Sequence, residues 1–388
     1  MASAHQISVG GVAIGGGAPV VVQSMTLTYT HDVDATMEQI GGLSSAGCEL
    51  VRVAVPKSED ADALAKLVYL SPLPIIADIH FNASLALRAI DAGVAKVRIN
   101  PGNIGGPDKV AEVVKAAKAK GIPMRVGANS GSLPKHLIPL AQEDTAAALV
   151  AEALEQVELL EKLDYRNFAI SVKSSSVPTM IRAYRMLAER VPYPLHLGVT
   201  EAGPPGTGTI KSAIGVGALL MDGICDTIRI SLTADPVKEV EVAWDILKSL
   251  GLRERGPIMI SCPSCGRDNV GVESLAEVVA ERLKAYPEAF EVAVMGCAVN
   301  GPGEAGDADF GIAGGRDVGF VYAHGRVLKK VPSATLIDDL FEEIDRWIEA
   351  GMPRPKRLKL AKPAALMMAE AAQRPVDRQT EASAELTA

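Results

Sequence analysis

Along the first two-thirds of the chain, short β-branched runs alternate with Ala- and Leu-rich stretches of helical pattern. The runs fall at Pro19–Ser24, Leu50–Val55, Pro74–Ile79, Lys96–Asn100, Pro123–Gly127, Phe168–Lys173, Leu195–Thr200 and Thr227–Ser231, most ending in a polar or charged residue. Helical patterns lie at Val33–Ala46, Asp60–Tyr69, Ala83–Ala92, Asp108–Lys120, Thr145–Leu163 and Pro236–Leu250. Strand signals separated by helices predict parallel βαβ units, and eight of them predict an α/β fold, a (β/α)8 TIM barrel. An open doubly wound sheet would carry a Gly-rich phosphate loop after its first strand. Here that strand runs into Ser24-Met25-Thr26, with no GxGxxG.

The pattern changes after Gly256. A strand at Pro257–Ser261, a helix at Leu275–Ala285 and a strand at Phe290–Met295 lead into Gly-rich chain from Gly296 to Gly315. A strand at Val318–Ala323 and a helix at Ala334–Ala350 follow, predicting a small second α/β domain. The expected boundaries are residues 1–255 for the barrel and 256–355 for the second domain. Residues 356–388, rich in Ala, Glu and Gln, read as a flexible tail.

Composition narrows the partners. Hydrophobic residues make up 48% and charged residues 22%, as in ordinary globular chains. The net charge of −8 argues against nucleic acid or an anionic membrane as partner, so any cations that bind an anion must be concentrated locally. No apolar segment is long enough for a membrane span. Met1 to Gly10 lacks the layout of a signal peptide, so a cytoplasmic, reducing location is expected.

Three of the five cysteines crowd together. Ser261-Cys262-Pro263-Ser264-Cys265-Gly266 places a CxxC at a strand end. Cys297 follows another strand in Met295-Gly296-Cys297-Ala298-Val299-Asn300-Gly301-Pro302-Gly303-Glu304. Gly and Pro let the backbone wrap closely around an inorganic core. Three thiolates suit a [4Fe–4S] cube with one non-Cys site or a three-thiolate zinc site, and a CxxC also suits a redox dithiol. The dithiol leaves Cys297 unexplained, and no His lies near Cys297 to complete a zinc knuckle. Cys48 and Cys225, in apolar surroundings, read as inert core thiols.

Barrel chemistry gathers at the C-terminal strand ends. Those ends carry Gln23, Ser24, Thr26, Arg52, Asp78, His80, Arg98, Asn100, Arg125, Asn129, Lys173, Thr200, Glu201, Arg229 and Ser231. Five cations converging on one mouth repel one another unless an anion neutralises them, and Arg suits bidentate phosphate contacts. A phosphorylated or diphosphorylated substrate follows. The alternative for some of these Arg is pairing with carboxylates inside the barrel, for which only Asp78 and Glu201 are evident. Asp78 and His80, two apart, share a strand face. Glu201, before the expected Gly203-Pro204-Pro205-Gly206 turn, is a candidate general acid if partly desolvated.

Five segments together resemble the 4-hydroxy-3-methylbut-2-en-1-yl diphosphate synthase family. They are Val22-Gln23-Ser24-Met25-Thr26, Asp78-Ile79-His80-Phe81-Asn82, Arg98-Ile99-Asn100-Pro101-Gly102-Asn103, Ser261 to Arg267, and Met295 to Glu304. The resemblance covers about residues 5 to 355 in order, and departs from the family at Leu27, where Asn is usual. It implies two-electron reduction and ring opening of 2-C-methyl-D-erythritol 2,4-cyclodiphosphate in isoprenoid biosynthesis, with flavodoxin or ferredoxin as donor. It also implies a [4Fe–4S] cluster on Cys262, Cys265, Cys297 and Glu304. Arg52, Arg98, Arg125, Lys173 and Arg229 match the residues that hold the diphosphate, and Glu201 matches the acid near the reacting carbons. A head-to-tail homodimer, one chain's cluster domain capping the other's barrel, is implied as well. A pterin- or phosphosugar-type barrel transferase with a structural zinc domain would instead be colourless and active without reductant, and a metal-dependent binding module such as an iron sensor would show no reductant-dependent turnover.

Overall fold

The alternating segments assemble as β3 (Val21–Met25), β4 (Leu50–Ala54), β5 (Ile75–Asp78), β6 (Lys96–Arg98), β7 (Met124–Asn129), β8 (Phe168–Lys173), β9 (His196–Leu197) and β10 (Thr227–Ile228). The computed structural model describes residues 3–268, 270–297, 308–315 and 317–353. Every ladder among β3 to β10 is parallel, in the order β8-β7-β6-β5-β4-β3-β10-β9. A single bridge, Ile170 to Leu195, brings β8 to β9 and closes the ring. The helices that follow the strands are α1 (Val33–Ala46), α2 (Ser58–Leu70), α3 (Ala83–Asp91), α4 (Pro107–Lys120), the short α5 (Ile138–Glu143), α6 (Thr145–Lys162), α7 (Val177–Ala188), α8 (Pro205–Met221) and α9 (Pro236–Ser249). This is a (β/α)8 barrel. α7 and α8 were not singled out by the sequence pattern. The Gly203–Gly206 segment expected as a turn instead runs into α8, with Pro205 at its first position, where a missing N–H costs nothing.

Alternate strand residues face the helices and form the main core, among them Val22, Val51, Val53, Ala77, Val97, Met124 and Phe168. The N-terminal chain forms an antiparallel hairpin, β1 (Gln6–Val9) and β2 (Val12–Gly15), that the run-and-helix reading did not contain. Its Ile7, Val9 and Ile14 pack on Val21, Leu50, Ile76 and Ala169 at the starts of four barrel strands. Each such burial contributes roughly 1.5–3 kcal/mol. Apolar packing thus closes the N-terminal end of the barrel and leaves the other end for chemistry.

The β8–β9 seam, with one bridge, is held by a side chain. Fully buried Tyr184 on α7 donates its hydroxyl to His196 O (2.5 Å) and accepts from Val172 N (3.1 Å). Tyr184→Phe strands a buried amide, so a loss of about 1–3 kcal/mol is expected in thermal or urea unfolding. An unchanged midpoint would show that the seam does not depend on this bridge.

The chain divides into two compact units between Arg253 and Glu254. The second contains a five-stranded sheet in sequence order: β11 (Ile258–Ser261), β12 (Glu291–Met295), β13 (Phe310–Gly314), β14 (Val318–Ala323) and β15 (Arg326–Pro332). The first three are parallel and the rest antiparallel. Strands β13 and β15 went unread in the sequence. One sheet face packs against α10 (Val272–Leu283) and α11 (Leu336–Glu349). Along α11 the helical spacing of Leu336, Leu340, Phe341, Ile344 and Trp347 presents one apolar stripe, and all five are buried. Among the described residues no helix is long and apolar enough to cross a membrane. The tail 356–388 lies outside the described residues.

Candidate functional site

The inward-facing positions of the barrel are charged where an ordinary core is apolar. Arg52 reaches Asp78, Nε to Oδ2 3.3 Å, and its Nε and Nη2 lie 3.2 and 3.1 Å from Met25 Sδ. Arg98 Nη1 donates to Asp78 Oδ1 at 2.9 Å. His80 Nε2 lies 3.3 Å from the same oxygen and also contacts Arg98 Nη1. Burial by itself would raise the Asp78 pKa, but Arg52, His80 and Arg98 outweigh it and hold the carboxyl well below its ordinary range. Asp78 therefore organises two arginines and His80; β5 ends at Asp78, so His80 meets it from the loop beyond the strand and not from a shared strand face.

A second carboxylate was missed in the sequence. Glu239, in the first turn of α9, accepts from Arg229 Nη2 (3.2 Å) and Nε (3.3 Å), from Ser24 Oγ (3.0 Å) and from Leu232 N (2.9 Å). It sits in a helical pattern and looks like a solvated helix carboxylate until the chain brings β10 beside it. Its burial at 2% is the tertiary signal. So the alternative of pairing inside the barrel applies to Arg52, Arg98 and Arg229.

Arg125, 3% exposed, and Lys173 share this space. Burial first, then Arg52 and Arg98, destabilise the Arg125 cation; burial, Arg125, Arg52 and Arg229 do the same to Lys173. Arg52, 7% exposed, is pushed down to about 10 by burial against the pull of Asp78. Gly198 makes room for Lys173: a Cβ there would lie 2.3 Å from Arg229 O and 3.2 Å from Lys173 Nζ. The five basic side chains Arg52, Arg98, Arg125, Lys173 and Arg229 share this space with the carboxylates Asp78 and Glu239, so basic groups outnumber carboxylates by three.

Around this centre stand the polar candidates. Asn100 Oδ1 accepts from Gly102 N (3.0 Å) and Asn129 Oδ1 from Gly131 N (3.1 Å), which fixes both carboxamides at the strand ends. Buried Glu152 of α6 lies against Asn100; burial pushes its carboxyl up to about 7, with Asn100 acting the other way. Thr200 and Ser231 are half-buried. Glu201 is exposed, so its own chain does not supply the desolvation expected of it. Both Glu201 (φ 53°) and Phe81 (φ 61°), next to His80, hold left-handed backbone uncommon for such residues. Leu27 is 64% exposed and only its amide is engaged, with Gln39 Oε1.

In the second unit, Cys262 and Cys297 follow the adjacent parallel strands β11 and β12. Gly296 N donates to Cys262 Sγ at 3.2 Å, the kind of backbone donor that stabilises a thiolate. Asp268, also unread in the sequence, pins the CxxC loop by accepting from Ser264 Oγ, Val270 N and Val272 N. A Cβ at Gly296 would lie 2.8 Å from Asp268 Oδ1, so glycine lets these strand ends approach. Cys262 is half-buried, Cys265 exposed and Cys297 buried, and no disulfide joins cysteines among the described residues. Among those residues no three His, Cys, Asp or Glu side chains are gathered closely enough to hold a metal ion. Glu304 lies outside the described residues. The donor chemistry fits a soft iron–sulfur group: the thiols of Cys262 and Cys297 follow adjacent strands, Cys265 lies in the loop beyond, and Cys262 accepts a main-chain N–H. Cys48, pushed up to about 12 by burial, and Cys225, also raised by burial, are unsuited to ligation.

These features define a TIM-barrel enzyme with a cationic mouth, joined to a small α/β domain bearing three cysteines. The family described as "GcpE TIM-barrel domain" matches residues 4–244, and "GcpE protein C-terminal domain" matches 258–346. A relative from Parafrankia sp. (strain EAN1pec), named 4-hydroxy-3-methylbut-2-en-1-yl diphosphate synthase (flavodoxin), is 53% identical over 89% of this chain and 90% of its own. A relative of the same name from Geobacter sulfurreducens is 51% identical over 89% and 98%. The chain belongs to the GcpE family and is an enzyme of isoprenoid biosynthesis. Dihydropteroate synthase from Yersinia pestis, 14% identical over 63% of this chain and 98% of its own with a TM-score of 0.45, is too distant to bear on the activity.

Proposed function

We propose that this chain reduces and ring-opens 2-C-methyl-D-erythritol 2,4-cyclodiphosphate to (E)-4-hydroxy-3-methylbut-2-enyl diphosphate, in the cytoplasm. Two electrons come from flavodoxin, the donor named for its relatives, or from ferredoxin. The observation that carries the reading is the convergence of five basic side chains on two carboxylates at the inward face of the barrel.

The bond from C2 to a phosphate oxygen breaks, the C3 hydroxyl leaves as water, and a C2–C3 double bond forms. The overall change consumes two electrons and one proton, and takes a cyclic dianion to an open trianion. A mouth in which basic groups outnumber carboxylates stabilises that extra charge as it develops. Arg52, Arg98, Arg125, Lys173 and Arg229 hold the diphosphate, with Asn100, Asn129, Thr200 and Ser231 orienting it. Asp78 keeps Arg52, Arg98 and His80 in register. Glu201 and His80 supply the proton that the departing hydroxyl takes up.

Cys262, Cys265, Cys297 and Glu304 are the residues that would hold a [4Fe–4S] cluster. When bound, that group supplies low-potential electrons one at a time to the substrate. No flavin or nicotinamide motif is evident in the sequence, which is why a protein donor is required. The head-to-tail homodimer is part of the same proposal.

Anaerobic assay of cluster-loaded enzyme with the cyclic diphosphate and reduced flavodoxin is expected to yield the open diphosphate. A fully loaded protein that fails to turn over defeats the proposal. In the same assay, mixing Glu201→Gln chains with Cys297→Ser chains is expected to restore one active site per mixed dimer. If activity does not reappear, the site is not shared between chains.

A further inference from the structure

Beneath the arginines the barrel encloses polar groups that no contact described above explains. Lys96 precedes Arg98 by two residues on the same inward face of β6. It is fully enclosed, and its Nζ has no hydrogen-bond partner. His196 on β9 is equally enclosed, with both ring nitrogens unpartnered. Gln23 Oε1, Thr227 Oγ1 and Arg125 Nη1 are orphaned as well. A buried polar atom left unsatisfied costs roughly 1–3 kcal/mol. Orphans on five different strands facing one interior point to a shared use.

The charged and titratable groups that the strands bring to this interior are Arg52 from β4, Asp78 from β5, Arg98 from β6, Arg125 from β7 and Lys173 from β8. His196 comes from β9 and Arg229 from just beyond β10, while β3 contributes no titratable group. The two carboxylates nearby are already engaged, Asp78 by Arg52 and Arg98, Glu239 by Arg229. Among the described residues no carboxylate pairs with Lys96. Its burial, then Arg125 and Arg52, disfavour the ammonium form and hold its pKa well below 10.5. A dianion in the mouth above offsets part of that positive field.

We propose that Lys96 is a further anion-binding residue of this barrel, an enclosed amine that takes one proton from solvent when the cyclic diphosphate binds. The ammonium so formed is a sixth cation beneath the phosphates, and the proton returns to solvent when the product leaves. This rests on the diphosphate lying in the barrel mouth. The role is electrostatic, and the proton stays on Nζ throughout turnover.

The test uses oxidised, cluster-loaded enzyme without reductant, so that the cyclic diphosphate binds and does not react. That ligand has no group titrating near neutrality, so any proton taken up belongs to the protein. Calorimetry in buffers of different ionisation enthalpy is expected to show uptake approaching one proton per site. The dissociation constant is expected to rise up to tenfold per pH unit wherever Lys96 is neutral when free and charged when bound. Lys96→Met is expected to abolish both the uptake and the pH slope. Wild-type binding without proton uptake, or uptake that persists in Lys96→Met, overturns the proposal. So does uptake lost in His196→Asn and kept in Lys96→Met, since the proton would then sit on His196. If Lys96→Met does not fold, Lys96→Arg, which carries its charge in both states, is expected to remove the uptake and the slope instead, and uptake that persists in it overturns the proposal. Failure of the wild-type protein to bind the cyclic diphosphate at all removes the site reading itself, and this proposal with it.

Discussion

Asp78→Asn is expected to lower the barrel's melting temperature by roughly 10 °C, corresponding to about 3–5 kcal/mol, and to weaken binding of the cyclic diphosphate. Asp78 is 6% exposed and is the common partner of Arg52 and Arg98. A carboxamide of the same shape accepts with one atom only and turns its NH2 towards a guanidinium. One carboxylate then remains among the five basic groups, with Arg52 left without its ion-pair partner in a low-dielectric interior. Removing one partner of a buried pair costs more than the pair contributes, because the other charge stays buried.

The pH dependence follows from the direction of the Asp78 shift. Its folded pKa lies well below 3.8, so its stabilisation is complete above about pH 5 and is lost as pH falls through the folded value. The gap between wild type and Asp78→Asn should therefore stay constant from pH 8 to about pH 5. Melting curves across that range check it. A gap that closes between pH 8 and pH 6 would show that the Asp78 carboxylate does not govern this cluster.

Glu239→Ala is expected to cost a similar 3–5 kcal/mol and to lower kcat about 100-fold in the folded fraction. Three donors lose their acceptor together: the Arg229 guanidinium, the Ser24 hydroxyl and the Leu232 amide. Arg229 is then free to swing away from the line of the phosphates, and a displacement of about 1 Å at a reacting centre is enough for a loss of that size. Glu239→Gln keeps one oxygen for Arg229 and should recover part of the activity. If the surviving folded Glu239→Ala enzyme has a normal kcat, Glu239 supports the fold and does not position Arg229.

The eight barrel strands were legible because each is short, β-branched and separated from the next by a helical stretch. A strand buried on both faces carries that signature in its own residues. The second domain was legible only in outline. Phe310–Gly314 is dominated by Gly and Ala, and Arg326–Pro332 is mostly exposed, so neither displays the alternation that marks a strand. The N-terminal hairpin was overlooked because its four-residue strands are joined at Gly10 and Gly11 and are stabilised by packing on the barrel's end.

The site divides in the same way. Arginines at successive strand ends are a local signal, since strand parity alone places them inside. Glu239 and Asp268 carry no such signal: each is an acidic residue in or before a helix until the chain folds donors around it. Lys96 and His196 are also invisible to sequence spacing, because burial without a partner is a property of the surrounding strands.

By itself, the sequence determined the barrel's repeats, the crowding of cations and cysteines, and the family, since these depend on residue type, period and spacing. Only the tertiary structure decided which carboxylate faces which cation, and so whether each positive charge is paired or left for a ligand. Coulombic and desolvation energies depend on distance and enclosure between strands far apart in the chain, and no local pattern of residues encodes either.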